Sequence, residues 1–244
     1  MMRSKFTSNN LSIIIVLFTL LLSPNAANST PISLDLEILG GETGDTPGYA
    51  TVYTDIEWEE VLANPDEIYT WWMINPLAVA AENNPTEILA ILNGISLTIK
   101  ADPLIEMSFA VTAGDYDTAF SFSSAIVSFA PMVNPDARAL ASVTVGPDDT
   151  MTGAFDYMAY RSLYNGTSVF ADLVETPLGW PGGSDATGWQ QILGTVSSMQ
   201  AKWRFTVTAE GTASGTSSFE VIPEPATLLL FGLGSLVLIR KRRQ

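Results

Sequence analysis

The side chains that most often carry chemistry are absent. There is no Cys and no His among the 244 residues. Without Cys there is no disulfide, no thiol nucleophile and no thiolate metal site. Without His the usual general base, the Ser-His-Asp triad and most transition-metal sites are lost. Carboxylates remain, 26 Asp and Glu in all. Two of them hydrolyse a glycoside when an acid and a nucleophile or base stand at a set separation. Glu57, Glu59 and Glu60 cluster beside Trp58, and Trp71 and Trp72 are close by in sequence. In a chain this acidic, such proximity is expected by chance.

Two acidic turns suit a cation better. Asp115 and Asp117 come after a Gly, and Asp148 and Asp149 sit in a Gly-Pro turn. Ca²⁺ takes about six to eight oxygens, often from loops of this kind. Neither turn has the spacing of an EF-hand, and Asp with Gly also makes turns unaided. The expectation is therefore no cofactor, with Ca²⁺ the one ion these turns could hold. Sugar stacking is the third chemistry. Trp180 precedes Pro181-Gly182-Gly183, and Trp189 comes after Gly188, so both rings stand in turn-rich segments where they could lie on a sugar face. Trp58 and Trp203 fall on the apolar phase of alternating segments and are expected in the core. Packing is also the commonest use of any single Trp. No phosphate loop, dinucleotide fingerprint or nucleophile elbow is present.

Positioning these residues falls to strands. Residues 32–38, 52–58, 95–100, 105–112 and 203–208 alternate apolar and polar side chains with period two. Weaker strands are expected at 120–129, 140–145, 153–160, 168–174 and 217–221. Gly-, Asn-, Asp- and Pro-rich turns separate them. About ten short strands predict a mostly β fold, an antiparallel β-sandwich. Two short helices are expected to interrupt it. Asn64-Pro65-Asp66-Glu67 and Asn84-Pro85-Thr86-Glu87 each offer an Asn cap, a Pro at the first helical position and a Glu at the third. The second would stop at Asn93-Gly94. Residues 188–199 read as a third helix or a strand. The Gly/Ser/Thr-rich stretch 211–218 reads as a hairpin turn or the start of a stalk.

The two ends have a different composition. Arg3 and Lys5 precede an apolar run at 11–22, and small and polar residues then continue to Ser29. This reads as a signal peptide over 1–29, too short for a stable span of about 20 apolar residues. The body, 30–220, is then an extracytoplasmic domain. Between Thr30 and Ile222 there are 25 acidic and 5 basic residues, a net charge of 5 − 25 = −20. Such a charge argues against nucleic acid and anionic lipid as partners, both of which need a basic footprint. It leaves cations and neutral sugars open.

The C-terminal tail, 221–244, is the most specific feature. Pro223-Glu224-Pro225 leads into an apolar run at 226–239 and then Arg240, Lys241, Arg242 and Arg243. The prolines prevent a helix from extending backwards and leave an extended segment. As a transmembrane helix the apolar run is roughly 21 Å long, short of the ~30 Å hydrocarbon core. The basic cluster would hold the C-terminus in the cytoplasm. In this order the three parts resemble the PEP-CTERM sorting tail of Gram-negative bacteria. The resemblance implies cutting by a membrane protease-transpeptidase, the exosortase, and ties its carriers to exopolysaccharide, biofilm and floc formation. The same tail is known from some ice-binding proteins. The segments 109–114 and 216–221 also look like those of other carriers.

The resulting expectation is a non-enzymatic surface or exopolysaccharide-matrix protein of a Gram-negative bacterium. Signal peptidase and exosortase would process it at the inner membrane, which it would occupy transiently. A carbohydrate- or ice-binding module is the alternative, and a carboxylate hydrolase the third. An exposed flat face of Thr or aromatic residues would favour the second, two acids converging in a cleft the third.

Overall fold

The computed structural model describes residues 31–223 apart from 42, 43, 45, 65, 66, 74, 101 and 102. Among them the chain is almost entirely strand. In order these are β1 (Pro31–Gly40), β2 (Thr46–Glu57), the helix α1 (Trp58–Ala63), β3 (Ile68–Trp72), β4 (Leu77–Ala81), β5 (Asn84–Lys100), β6 (Leu104–Ala113), β7 (Thr118–Ser124), β8 (Val127–Val133), β9 (Asp136–Val145), β10 (Met151–Gly153), β11 (Met158–Tyr164), β12 (Ser168–Glu175), β13 (Gly183–Ala186), β14 (Gln190–Gln191), β15 (Thr195–Val207) and β16 (Thr212–Ile222). They form two antiparallel sheets. The first runs β12-β11-β15-β7-β1-β2, with β8 and β10 also on β15. The second runs β13-β9-β16-β6-β5-β3, with β14 on β9 and β4 on β5.

Alternation in the sequence becomes alternation of burial. In β6, Ile105, Met107, Phe109 and Val111 point inward and Glu106, Ser108, Ala110 and Thr112 point outward, as the two-residue pleat requires. The inward faces of the two sheets meet in one core. Phe109 of the second sheet stacks on Phe122 and Phe205 of the first, with ring centroids 5.2 and 5.0 Å apart. Its edge contact with Trp203 is 5.1 Å. Offset and edge contacts of this kind suit the ring quadrupole. Trp203 is fully buried, as its phase predicts, and its indole N–H donates to Ser217 Oγ across the sheets at 3.0 Å. The neighbouring Tyr160 hydroxyl is fully buried with no hydrogen-bond partner among the described residues. Burial pushes its ionisation well above the ordinary range, so the ring stays neutral.

A strand with a glycine at its centre makes this packing fit. Gly215 lies opposite Phe109 in the β6–β16 register. A Cβ on Gly215 would come within 2.6 Å of the Phe109 ring. The aromatic ring occupies the space that the missing side chain leaves.

The helices differ from expectation. The one helix among the described residues is α1, which ends where the first was expected to begin. Asn64 closes it: both its backbone N–H and its side-chain amide donate to the Glu60 carbonyl, at 3.2 and 3.3 Å. Trp58, expected in a strand, opens α1. The second expected helix is the start of the long strand β5. There Asn84 Oδ1 accepts from the Thr86 backbone N–H and hydroxyl at 3.3 and 2.7 Å, a local turn that leads into a strand. Asn93-Gly94 is a bulge in β5 with a register shift against β6. The stretch 188–199 holds β14 and the start of β15, and in 211–218 Gly211 closes a turn and 212–218 is strand, not stalk.

β15 and β16 are joined by the turn at 208–211. From that turn the antiparallel registers lead from β15 to β7 to β1, and place Pro31 at the opposite end of the sandwich. Ile222, the last residue of β16, lies at that same far end, paired with Asp136. The chain therefore enters and leaves the described fold at one end.

A candidate binding face and the sorting segment

The outward face of the second sheet is lined by hydroxyls. In-register pairing sets Trp72, Ser96, Ser108, Thr216, Ser142 and Ser184 in one row across six strands, β3-β5-β6-β16-β9-β13. The next row holds Thr70, Thr98, Glu106, Ser218, Leu140 and Ala186. At about 4.8 Å per strand the platform is roughly 24 Å wide. Neighbouring hydroxyls hold one another. Ser96 and Ser108 are 2.6 Å apart, Ser142 and Thr216 3.0 Å, and Thr70 and Thr98 3.0 Å. Each hydroxyl has one donor and two acceptor sites, so every pair keeps capacity for a partner in solvent. A shallow hollow of about 740 Å³ lies over these rows.

Aromatic rings flank the platform. Trp72 is 63% exposed at the β3 edge. At the opposite edge Trp189 lies under the Arg138 guanidinium, 4.7 Å from the ring centroid, and Arg138 also pairs with Glu220 at 2.8 Å. Trp180 is exposed in the turn before β13. Trp72 is the ring that sequence reasoning passed over. Its signal was there: it has the outward phase of β3, opposite Trp71, which packs on the core. The outward face of the first sheet is different in kind. Asp172, Arg161, Lys202, Ser123 and Asp35 share a row, and Arg161 grips Asp172 with two bonds of 2.6 and 3.0 Å.

The acidic turns come together at the other end of the sandwich, around the 208–211 turn. Asp117 Oδ1 accepts from the Ala209 N–H at 3.0 Å. Asp149 Oδ2 accepts from the Thr212 N–H at 2.8 Å. Asp148 takes a positive φ of 67°, tolerable for Asp in a tight turn, and Asp115 is exposed. Asp117 and Asp149 thus each commit an oxygen to closing a loop. Among the described residues no three acids gather as a metal would require. Among the described residues the buried polar side chains are Thr118, Ser124, Ser162, Thr176 and Ser217, none of them a carboxylate.

At the chain exit, Pro223 is exposed directly after β16. Glu224, Pro225, the apolar run 226–239, Arg240 to Arg243 and the segment 1–29 expected to be a signal peptide lie outside the described residues. The profile of the PEP-CTERM protein-sorting motif matches residues 221–243. Its first two residues are thus the last two of β16. The motif indicates an exosortase-targeted sorting tail, and so implies export, exosortase as processing partner and a membrane-anchored precursor before processing. No curated protein matches the chain.

Proposed function

We propose that this is a non-enzymatic protein of the bacterial surface or exopolysaccharide matrix. It would be exported through its signal peptide and cut at its tail near Pro223-Glu224-Pro225. The body would then be retained in the polysaccharide layer or released into it. The observation that carries this reading is the sorting motif at 221–243, set directly against the last strand of a folded body. A lack of Cys and His supports the absence of catalysis. The test is mass spectrometry of the termini of protein recovered from its host. A mature C-terminus within 223–227 is the expected result, and an intact Gln244 in all recovered protein overturns it. The body is proposed to need no metal. Its melting temperature is expected to be equal in EDTA and in excess Ca²⁺, and a rise with Ca²⁺ would count against this.

The hydroxyl platform favours a second reading, a module that binds carbohydrate or ice. Of the two sheet faces, this is the one with a continuous row of Ser and Thr, from Ser96 to Ser184, and an exposed Trp at its margin. Thr98→Val with Thr216→Val removes two hydroxyls but keeps the β-branched shape that strands favour. In affinity electrophoresis through a neutral β-glucan, this double variant is expected to bind about ten-fold more weakly than the parent. Ser121→Ala on the other sheet is expected to change nothing. Equal retardation of both proteins would remove the platform from consideration.

A further inference from the structure

We infer that, in the membrane-anchored precursor, the end of the sandwich where β16 leaves the fold rests on the bilayer surface. The inference depends on the sorting reading, because it needs the tail to be anchored.

Three large aliphatic side chains are exposed at this end. Leu193 is 81% exposed, Val133 68% and Ile68 61%. The first two stand together. Asn134 N–H donates to the Gly194 carbonyl at 2.7 Å, and Gly194 N–H donates to Asn134 Oδ1 at 2.8 Å. This clasp joins the β8–β9 turn to the segment before β15. Asp136, three residues after Val133, is the register partner of Ile222. Ile68 heads a row that runs through Lys100, Leu104 and Glu220 to Arg138, two residues short of the exit. Trp189, stacked on Arg138, completes the rim.

The chain beyond the fold decides what covers these tips. Only Pro223, Glu224 and Pro225 separate Ile222 from the apolar run that starts at Ala226. Fully extended, the four Cα steps span at most roughly 14 Å. A body on so short a tether cannot stand clear of the membrane into which the run inserts. The side chains that meet the interface are then aliphatic tips with Trp189, Lys100 and the Arg138–Glu220 pair behind them. That is the composition of interfacial anchors, in which Trp rings sit at the headgroups and Arg and Lys extend their heads into water. The net charge of −20 between Thr30 and Ile222 disfavours anionic lipid, so contact rests on apolar insertion.

The chain has no Cys, so a single introduced one is a unique label site. Leu193→Cys and Val133→Cys, each carrying bimane, would report this end, and Tyr116→Cys would report the far end, near the 208–211 turn. Each full chain is reconstituted into phosphatidylcholine vesicles with brominated acyl chains and floated. Bimane at 193 and 133 is expected to lose about half its fluorescence, as shallow burial of roughly 5–10 Å allows, with none lost at 116. Flotation without quenching at 193 and 133, or equal quenching at all three sites, overturns the docking alone. Failure to float overturns the anchored precursor as well.

Discussion

Phe109→Ala is expected to lower the unfolding free energy by about 3–5 kcal/mol, the usual cost of emptying an aromatic site in a packed core. The number should fall at the upper end of that range. Phe109 bridges the two sheets, with ring contacts to Phe122, Trp203 and Phe205. Across the strand its ring also covers Gly215, which has no side chain to move into the gap. Two neighbours of the cavity thus cannot close it: a glycine backbone, and a Trp203 indole held by Ser217. Chemical denaturation monitored by tryptophan fluorescence measures the change. Phe109→Leu should recover a large part of the loss, since most of the buried volume returns. A loss under about 1 kcal/mol would mean that the sheets slide together to fill the site, and that the core is less rigid than its ring contacts imply.

The second large effect is on processing. Replacing Pro223, Glu224 and Pro225 together by Ala is expected to abolish C-terminal cleavage while leaving the fold intact. Pro223 is exposed and lies after the last residue of β16, so the fold loses no strand hydrogen bond. The effect on the tail is direct. Alanines remove the two fixed proline φ angles and put strong helix formers in place of helix breakers just before the apolar run. Intact mass should then end at Gln244, with all of the protein in the membrane fraction. Cleavage of the triple variant at the normal position would show that the enzyme reads the apolar run and basic cluster without the Pro-Glu-Pro segment.

The strands were legible because burial tracks the two-residue pleat, and β6 and β15 carry it without exception over their central residues. The helices were misread for a local reason. Asn-Pro-x-Glu satisfies a helix start, but it satisfies a turn equally well, and Asn84 spends its side chain on Thr86 instead of on a helix. The residues after Asn84 settle the outcome. Ile88 to Leu92 gain ladder partners on β4 and β6, and tertiary pairing overrides a cap worth about 1 kcal/mol. Gly215 misled in the opposite direction, since a strand glycine reads as a turn until the ring that covers it is known. The hydroxyl platform was invisible for a further reason. Ser96, Ser108, Thr216 and Ser142 lie far apart in sequence, and only register brings them into line. Asp117 and Asp149 were recognised as turn residues, yet the turn that both clasp, at 208–211, is remote from each.

The position of β16 bears on how the body would carry load once its C-terminus is attached to anything. β16 is an inner strand, with nine register partners on β6 and ten on β9. A pull applied at Ile222 runs along the strand axis, so it shears both ladders at once instead of peeling residues off one by one. Many hydrogen bonds then share the force, and rupture requires them to fail nearly together. A body held by an edge strand would unzip under a much smaller tension. Attachment through this inner strand would give the protein the mechanics of an anchor that resists flow, without a disulfide to lock it.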